Sequence, residues 1–501
     1  MRGGAQDPRE QATVHTTPIS VLARQEGTRS VAAGLLDKIS TGDARIAIIG
    51  LGYVGLPLAL AFARSFTTVG IDVDPRRVES IRRRRSYVGD IVDEELSEAI
   101  ERGAFSATHD FDVLKECDCV VVCVPTPLEA GKLPDLSCIV SASEAIAQRL
   151  HAGQLIVLES TTYPGTTDEM LLPLFSAAGF ALDEDFLLAF SPERVDPGNR
   201  DYKITDIPKI VGGCSAVSTQ VASALYRRIV PFVHEVSSAR VAETAKLWEN
   251  TFRAVNIALA NEMSMLCQNL GIESSEVIEA AATKPFGFMP FYPGPGVGGH
   301  CIPLDPHYLS WTASKHAYYP RFIMLADQIN SEMSDHIVAL VADGLNDRRI
   351  ALRGARILVL GVTYKADVAD TRMSPAIPII ERLRAKGVHV RYHDPFVPRL
   401  HVEEDELPPA PRRDLRESAV ERRQEVSDDL EGSISAGRRR IDPLESRPLT
   451  DVELRDADCV LVITAHTSVD YDRVARLAVL VVDSRNVVPS GHEPGARIIS
   501  L

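Results

Sequence analysis

The stretch Ala44–Ala63, ARIAIIGLGYVGLPLALAFA, decides the fold. An apolar run of strand length leads into Gly50-Leu51-Gly52-Tyr53-Val54-Gly55, and an apolar helical segment follows. The pattern G-x-G-x-x-G is weak alone; it gains meaning when a strand precedes it and a helix opens from it. The next apolar segment, TTVGIDVD, places Asp72 about twenty residues on, where a dinucleotide-binding turn needs its acidic residue. The glycines let a pyrophosphate approach the helix N-terminus, and the carboxylate accepts hydrogen bonds from the adenosine ribose. Asp72 would repel a 2′-phosphate, so NAD is favoured over NADP, a preference softened by Arg76 and Arg77. Gly50, Gly52, Tyr53, Val54, Gly55, Asp72 and Arg77 are therefore candidate cofactor contacts.

Outward from this turn, apolar strands recur at CVVVCVP and QLIVLES with helical stretches between them, the signature of a doubly wound parallel sheet. A long helix is expected from near Val241 through ETAKLWENTFRAVNIALANEMSMLCQNLG, ending at Gly271. Its apolar residues cover more than one face, as in a helix buried between domains or in a dimer interface. The α/β pattern resumes at ARILVLGVTY and continues through HVRYHDP, CVLVITAH and LAVLVVDSRN. This second unit has only Gly361 in its first turn and lacks the dinucleotide fingerprint.

The expected architecture is α/β, two Rossmann-like doubly wound domains joined by a long central helix. A flexible extension occupies 1–30, the NAD-binding domain 31–240, a central helical and dimerisation region 241–345, and the second Rossmann-like domain 346–501. An insert over 399–449 interrupts the last of these. Its sequence, VEEDELPPAPRRDLRESAVERRQEVSDDLEGSISAGRRR, is dense in charge and poor in aliphatic clusters, a disordered or loosely helical composition.

Bulk properties narrow the function. The 501 residues suffice for roughly two to four domains. A net charge of −15 argues against nonspecific binding to nucleic acid or anionic membranes, while leaving room for a local basic pocket. Residues 1–30 hold no continuous apolar segment after their charges, and LPLALAFA is too short to span a bilayer. The 8 cysteines have no regular spacing, which excludes a disulfide framework. Cys117, Cys119 and Cys123, in ECDCVVVCV, read as a buried strand and not as a zinc site; no metal is expected. The protein is expected in the reducing cytoplasm.

Residues 294–306, GPGVGGHCIPLDP, hold a thiol behind a run of glycines. Gly294, Gly296, Gly298 and Gly299 allow a backbone to approach a ligand and to adopt positive φ. Exposed backbone N–H groups can lower the pKa of Cys301 and hold an oxyanion, and Asp305 can position a water. An inert packed thiol is the competing reading. His300 is adjacent, and adjacent residues usually point apart; a Cys/His hydrolase would also leave the NAD turn unexplained. Lys246 and Asn250, four apart on the long helix, share a face and can polarise an oxygen. Solvated polar residues are the alternative, which the apolar neighbours Leu247, Trp248, Phe252 and Val255 disfavour.

Across residues 33–398 and 450–498, the motifs GLGYVGLPLA, VCVPTPL, ESTTYPGTT, FSPERVDPGN, KLWENTFRAVNIALANE, PGPGVGGHCIPLDP, GVTYKADVADTR and DSRNV occur in order. The chain thereby resembles the UDP-glucose/GDP-mannose dehydrogenases, which oxidise the C6 alcohol of a sugar nucleotide to a carboxylate. The resemblance implies that Cys301 captures the aldehyde as a thiohemiacetal, which is oxidised to a thioester and hydrolysed. It implies oxyanion stabilisation by Lys246 and Asn250, and proton transfer or water activation by Asp305. Thr161 would hold a water, Glu193 would assist hydrolysis, and Thr126 would contact the cofactor. Lys365, Arg372 and Arg485 would contact the nucleotide sugar in the C-terminal domain. Asp196 does not align with a second glutamate of glucose-type members and receives no role. The form PERVDPGN is similar to that of the UDP-N-acetylglucosamine 6-dehydrogenase branch. UDP-N-acetylglucosamine is thus the first expectation, with UDP-N-acetylmannosamine or UDP-glucose as alternatives and a homodimer or higher homo-oligomer as the assembly. A two-electron dehydrogenase would not need Cys301, and a silent sugar-nucleotide-binding protein would have lost it or Lys246.

Overall fold

The structure is a computed structural model that describes residues 31–89, 91–128, 133–194, 206–299, 301–401, 403–405, 438–440, 443–489 and 495–501. The expected extension 1–30, Asp196, His300 and the interior of the charged insert lie outside the described residues.

Eight strands build the first sheet: β1 (Arg45–Ile49), β2 (Thr67–Ile71), β3 (Phe105–Thr108), β4 (Cys119–Val122), β5 (Gln154–Leu158), β6 (Phe186–Phe190), β7 (Lys209–Gly213) and β8 (Val233–Glu235). Their spatial order is β3-β2-β1-β4-β5-β6-β7-β8, parallel throughout except between β6 and β7. Side chains alternate across the sheet: Ile46 and Ile48 enter one core, Ala47 and Ile49 the other. Every residue of β4, β5 and β6 is buried, as a parallel sheet covered on both faces requires. The order of strands reverses between β1 and β4, the topological position at which such sheets bind ligands.

The central helix spans Ala239–Leu270. Ser238 caps it by accepting from the Val241 N–H, and Gly271, at φ 68°, ends it in the left-handed conformation that glycine tolerates. A second long helix, Arg321–Asp347, packs along it and against the second sheet.

The second unit begins with β9 (Arg356–Leu360) and β10 (His389–His393). Two antiparallel pairs follow at the ends of the charged insert. β11 (Arg399–Leu400) and β12 (Glu403–Asp405) pair with β14 (Leu444–Glu445) and β13 (Arg438–Arg440), respectively. The register sets Glu403, Glu404 and Asp405 opposite Arg440, Arg439 and Arg438, so acidic positions face basic ones. The ends of the stretch read as disordered or loosely helical are thus extended ribbons. β15 (Cys459–Val462), β16 (Leu480–Asp483) and β17 (Arg497–Ser500) complete a parallel sheet of order β10-β9-β15-β16-β17. Among the described residues no helix is long and apolar enough to cross a membrane.

Candidate active site

The first glycine turn has the geometry that a dinucleotide requires. Gly50 has φ 93°, and a methyl group there would lie 2.4 Å from the Cys123 carbonyl oxygen. At Gly55 a methyl group would lie 1.8 Å from the Gly50 carbonyl oxygen, so the helix closes directly onto the turn. Gly52 has open space beside it, with no atom within 4 Å of an added methyl group. That open side, next to a helix N-terminus, suits a pyrophosphate. Asp72 is buried at the end of β2 and accepts from Leu51 N–H at 2.8 Å, Asp74 N–H at 2.8 Å and Arg77 Nη1 at 3.0 Å. Val54 precedes the helix Gly55–Phe62, and the half-exposed Tyr53 lies under the Arg372 guanidinium, 5.3 Å from its ring centroid. The Thr126 carbonyl accepts from the Tyr308 hydroxyl at 3.0 Å, tying the loop after β4 to the helix behind Cys301. These residues fit NAD.

One face of the central helix gathers the candidate catalytic residues. Glu243, Lys246 and Asn250 recur at helical spacing, and all three are buried. Glu243 grips the loop that begins at Thr161, accepting from Gly165 N–H at 2.6 Å, Thr167 N–H at 2.9 Å and Thr167 Oγ1 at 2.6 Å. Glu249 binds Arg194, the neighbour of Glu193, at 2.7 Å. Asn250 Nδ2 donates to Asp305 Oδ2 at 2.5 Å. Further along, Asn261 Oδ1 accepts from Gly294 N–H at 2.8 Å, and its amide donates to Asn330 at 2.9 Å. Four separate segments, bearing Thr161, Glu193, Asp305 and the glycine run before Cys301, are therefore hung from a single rod.

The Cys301 carbonyl accepts from Asp305 N–H at 2.9 Å, which starts the helix Asp305–Lys315 and fixes thiol and carboxylate to one turn. Asp305 is 2% exposed, and burial pushes its carboxyl up to about 6 against the opposing pull of Lys246, Asn250 and Arg253. A carboxylate so placed accepts a proton near neutral pH.

The glycine run, with positive φ at Gly296 and Gly299, packs closely against protein. Methyl groups at Gly294, Gly298 and Gly299 would meet Arg485 at 2.7 Å, the Met373 carbonyl at 2.7 Å and the Tyr364 ring at 2.8 Å. The space that glycine leaves is filled by the second unit of the protein, because the loop must lie flat against it to present Cys301. Arg485 is held by the Ile463 carbonyl at 2.8 Å, and burial pulls its guanidinium down to about 10 against the nearby Asp483. Arg372 forms a forked pair with Asp370 at 2.9 and 2.6 Å as well as stacking on Tyr53. The Lys365 carbonyl accepts from Thr363 Oγ1 at 2.7 Å in the same turn. Arg485 and Tyr364 are thereby brought to the Cys301 loop, and Arg372 to the NAD turn.

Sequence reasoning missed Glu243, Glu249, Asn261 and Asn330. Glu243 had a signal, because it lies one helical turn before Lys246; the asparagine pair had none. It also missed Glu159 and Lys209, which contact each other at 3.0 Å, with Lys209 reaching Glu193 at 3.3 Å. Glu159 directly follows the apolar strand QLIVL at a ligand-binding edge, and that position could have flagged it.

Comparison with known proteins agrees along the chain. Profiles of the UDP-glucose/GDP-mannose dehydrogenase family match residues 44–230 (NAD binding domain), 240–332 (central domain) and 358–490 (UDP binding domain). A UDP-N-acetyl-D-glucosamine 6-dehydrogenase from Pseudomonas aeruginosa is 38% identical over 357 residues, 71% of this chain and 83% of that protein. A UDP-N-acetyl-D-mannosamine dehydrogenase from Pyrococcus horikoshii is 39% identical over 362 residues, 71% and 85% of the two chains. The solved UDP-D-ManNAc dehydrogenase structure from Pyrococcus horikoshii superposes with a TM-score of 0.75 and 31% identity, covering 91% of this chain and 98% of that one.

Proposed function

The chain belongs to the UDP-glucose/GDP-mannose dehydrogenase family and is an NAD-dependent oxidoreductase of nucleotide sugars; from that premise we propose that it oxidises the C6 alcohol of a UDP-N-acetylhexosamine, UDP-N-acetylglucosamine first, through to the carboxylate. The observation that supports a four-electron route is the buried group Lys246, Asn250 and Asp305 set against the turn that carries Cys301. NAD, when bound on the Gly50–Gly55 turn, supplies the hydride acceptor.

The remaining chemistry falls to the protein. Asp305, with the water held by Thr161, takes the proton of the C6 hydroxyl as the alcohol becomes an aldehyde. The Cys301 sulfur then bonds to the aldehyde carbon. Lys246 and Asn250 stabilise the oxygen that gains charge as the C–S bond forms. Addition is needed because an aldehyde has no readily lost hydride until a nucleophile joins it. Loss of a second hydride, to a second NAD, and of the proton that the thiol brought, which leaves through Asp305 to solvent, would turn the carbon into a thioester. Water attacks it near Glu193, the C–S bond breaks, and the carboxylate leaves with the thiol restored. Lys365, Arg372 and Arg485 hold the nucleotide part.

UDP-N-acetylmannosamine is the second reading, favoured by the Pyrococcus relative, whose identity equals that of the glucosamine-type relative within a percentage point. The test is NADH formed per sugar consumed, with UDP-N-acetylglucosamine, UDP-N-acetylmannosamine and UDP-glucose, for wild type and Cys301→Ala. Two NADH per sugar, lost in the variant, supports the thioester route, and the best substrate decides the branch. One NADH per sugar, unchanged in the variant, refutes it.

The other face of the central helix supports a homodimer. Trp248, Phe252, Leu259, Met263, Leu266 and Leu270 are exposed there at coiled-coil-like spacing, a stripe suited to a second copy of the chain. Leu259→Glu with Met263→Glu should halve the mass seen by sedimentation, and an unchanged mass rejects this interface. All 8 cysteines are without disulfides, which suits a reducing compartment such as the cytoplasm.

A further inference from the structure

Behind Glu193 lies a buried ion cluster to which the steps above give no part. Glu159 follows β5, Glu193 follows β6, and Lys209 opens β7, which runs antiparallel to β6. All three meet at the edge where the parallel strands end, which is the ligand-binding edge of an open sheet. Lys209 Nζ lies 3.0 Å from Glu159 Oε2 and 3.3 Å from Glu193 Oε2. The Glu159 side chain is fully buried and also accepts from the Tyr226 hydroxyl. The ammonium lies 5.3 Å from the centre of the Tyr226 ring. Glu193 is the most exposed of the three, at 11% of its side chain against 6% for Lys209 and 0% for Glu159.

Charge balance makes this arrangement informative. One buried ammonium needs one carboxylate, and a second carboxylate adds a desolvation cost without improving neutrality. Glu193 Oε1 also accepts from the Arg194 N–H at 2.7 Å. Burial pushes Glu159 up to about 7 against the attraction of Lys209, so Glu159 is itself on the edge of ionisation near neutral pH. Burial works against the Lys209 charge too, yet the two carboxylates outweigh it and hold the amine above its ordinary range. Among the described residues, groups facing the cluster include Cys123 from the loop after β4, whose thiol burial pushes far up, Tyr226 from the helix Ala216–Tyr226, Ser191 beside Tyr226, and the Arg194–Glu249 pair.

We propose that Lys209 is a positioning residue for the reaction, its ammonium fixing the Glu193 carboxylate toward the site while Glu159 and Tyr226 fix Lys209 from behind. This rests on the reading of Glu193 as part of the site. Lys209 touches no substrate in this role; it acts through Glu193.

Three variants test it. Glu159→Gln with Lys209→Met removes one negative and one positive charge, so the cluster keeps its net charge. The double variant should keep the wild-type melting temperature and both KM values. Its kcat should fall at least about tenfold, with the acid limb of the kcat–pH profile moved up by about one to three pH units, the effect of removing an opposite charge at this range. Lys209→Gln alone takes the ammonium from beside Glu193 and should move the limb up as well, since Glu159, pushed up to about 7, is already protonated where that limb falls. It also decides the matter if the double variant does not fold, since an unmoved limb overturns the proposal. A double variant with wild-type kcat and pH profile overturns it as well, because Lys209 would then serve Glu159 alone. Glu193→Gln separates the two levels. An impaired Glu193→Gln beside an unimpaired double variant refutes the Lys209 role only, whereas a fully active Glu193→Gln refutes the reading of Glu193 and the proposal with it.

Discussion

Replacing Asp305 by Asn should make the protein more stable at neutral pH while removing most of its activity. The rise of its carboxyl from the ordinary 3.8 to about 6 means that the folded protein holds this proton more tightly than the unfolded chain. Below about pH 4 both states are protonated there, and the full native stability is present. As pH rises through the window from 3.8 to about 6, the unfolded chain releases the proton first and native stability falls. Above about 6 the loss is complete, at about 3 kcal/mol for a rise of this size, taking roughly 1.4 kcal/mol per pH unit. Asn mimics the protonated side chain, and it still accepts from Asn250 Nδ2. Lys246 is no worse placed than beside a protonated Asp305, because the opposition between burial and Lys246 is already contained in the net shift. The difference in melting temperature between Asp305→Asn and wild type should therefore be near zero at pH 4, open between pH 4 and 6, and stay positive at pH 8. In the same preparations kcat should fall by about two to four orders of magnitude, the contribution of a positioned acid–base group. A difference in melting temperature that is flat with pH would refute the burial argument, and wild-type kcat would refute the role.

The first two glycines of the NAD turn should respond differently. Gly50→Ala meets the Cys123 carbonyl at 2.4 Å and should destabilise the fold, whereas Gly52→Ala enters open space and should leave the melting temperature unchanged. The latter should still raise KM for NAD at least about tenfold, or about 1.4 kcal/mol, and an unaltered KM would contradict the placing of the pyrophosphate. Gly299→Ala forces a side chain into φ 86° with its methyl group 2.8 Å from the Tyr364 ring, and should cost about 1–3 kcal/mol in thermal stability together with turnover. An unshifted melting temperature would show that the loop does not pack as described. Glu243→Gln replaces a carboxylate oxygen by a donor among three donors, at a cost of about 1–3 kcal/mol. Turnover should drop while KM for NAD holds, and steady-state kinetics would expose the reverse.

The legible parts of the sequence were those in which local pattern and global role coincide. β1 with its turn, the strands β4, β5, β9, β10, β15 and β16, and the Gly271 stop of the central helix all carry local signals that a reader can weigh. Strands β3, β6, β7 and β8 carry weaker ones. FSAT is short and VHE is mostly exposed, so neither shows a run or an alternation. Within the site, Lys246 and Asn250 were visible because helical spacing predicts a shared face. Lys209 was not, since a lysine at the head of an apolar strand usually lies in solvent, and here it is buried by a strand pairing that only tertiary structure creates. The glycines before Cys301 were read for close approach, and the neighbour beside Gly294, Gly298 and Gly299 is protein. Glycine announces that something comes near, and sequence alone does not say whether it is ligand or protein.

The second unit shows how the same turn can be kept while its dinucleotide chemistry is lost. Gly361 has φ 79°, and a methyl group on it would lie 2.4 Å from the Thr464 carbonyl, matching Gly50 against Cys123 at the same distance. Val362 N–H donates to Asp394 at 2.7 Å as Leu51 N–H donates to Asp72 at 2.8 Å. From there the two diverge. Thr363 stands where Gly52 stood, fully buried, and its side chain occupies the side that is open in the first unit. The carboxylate is committed as well. His466 Nδ1 accepts from Asp367 N–H at 3.0 Å, so the ring proton sits on Nε2 and is donated to Asp394 at 3.0 Å. Asp72 instead meets a half-exposed arginine that can move aside for a ribose. A pyrophosphate therefore has no open seat in the second turn and a ribose no available acceptor, in keeping with the match of that unit to a UDP binding domain. Two copies of one fold can thus face each other across Cys301 without competing for the same ligand.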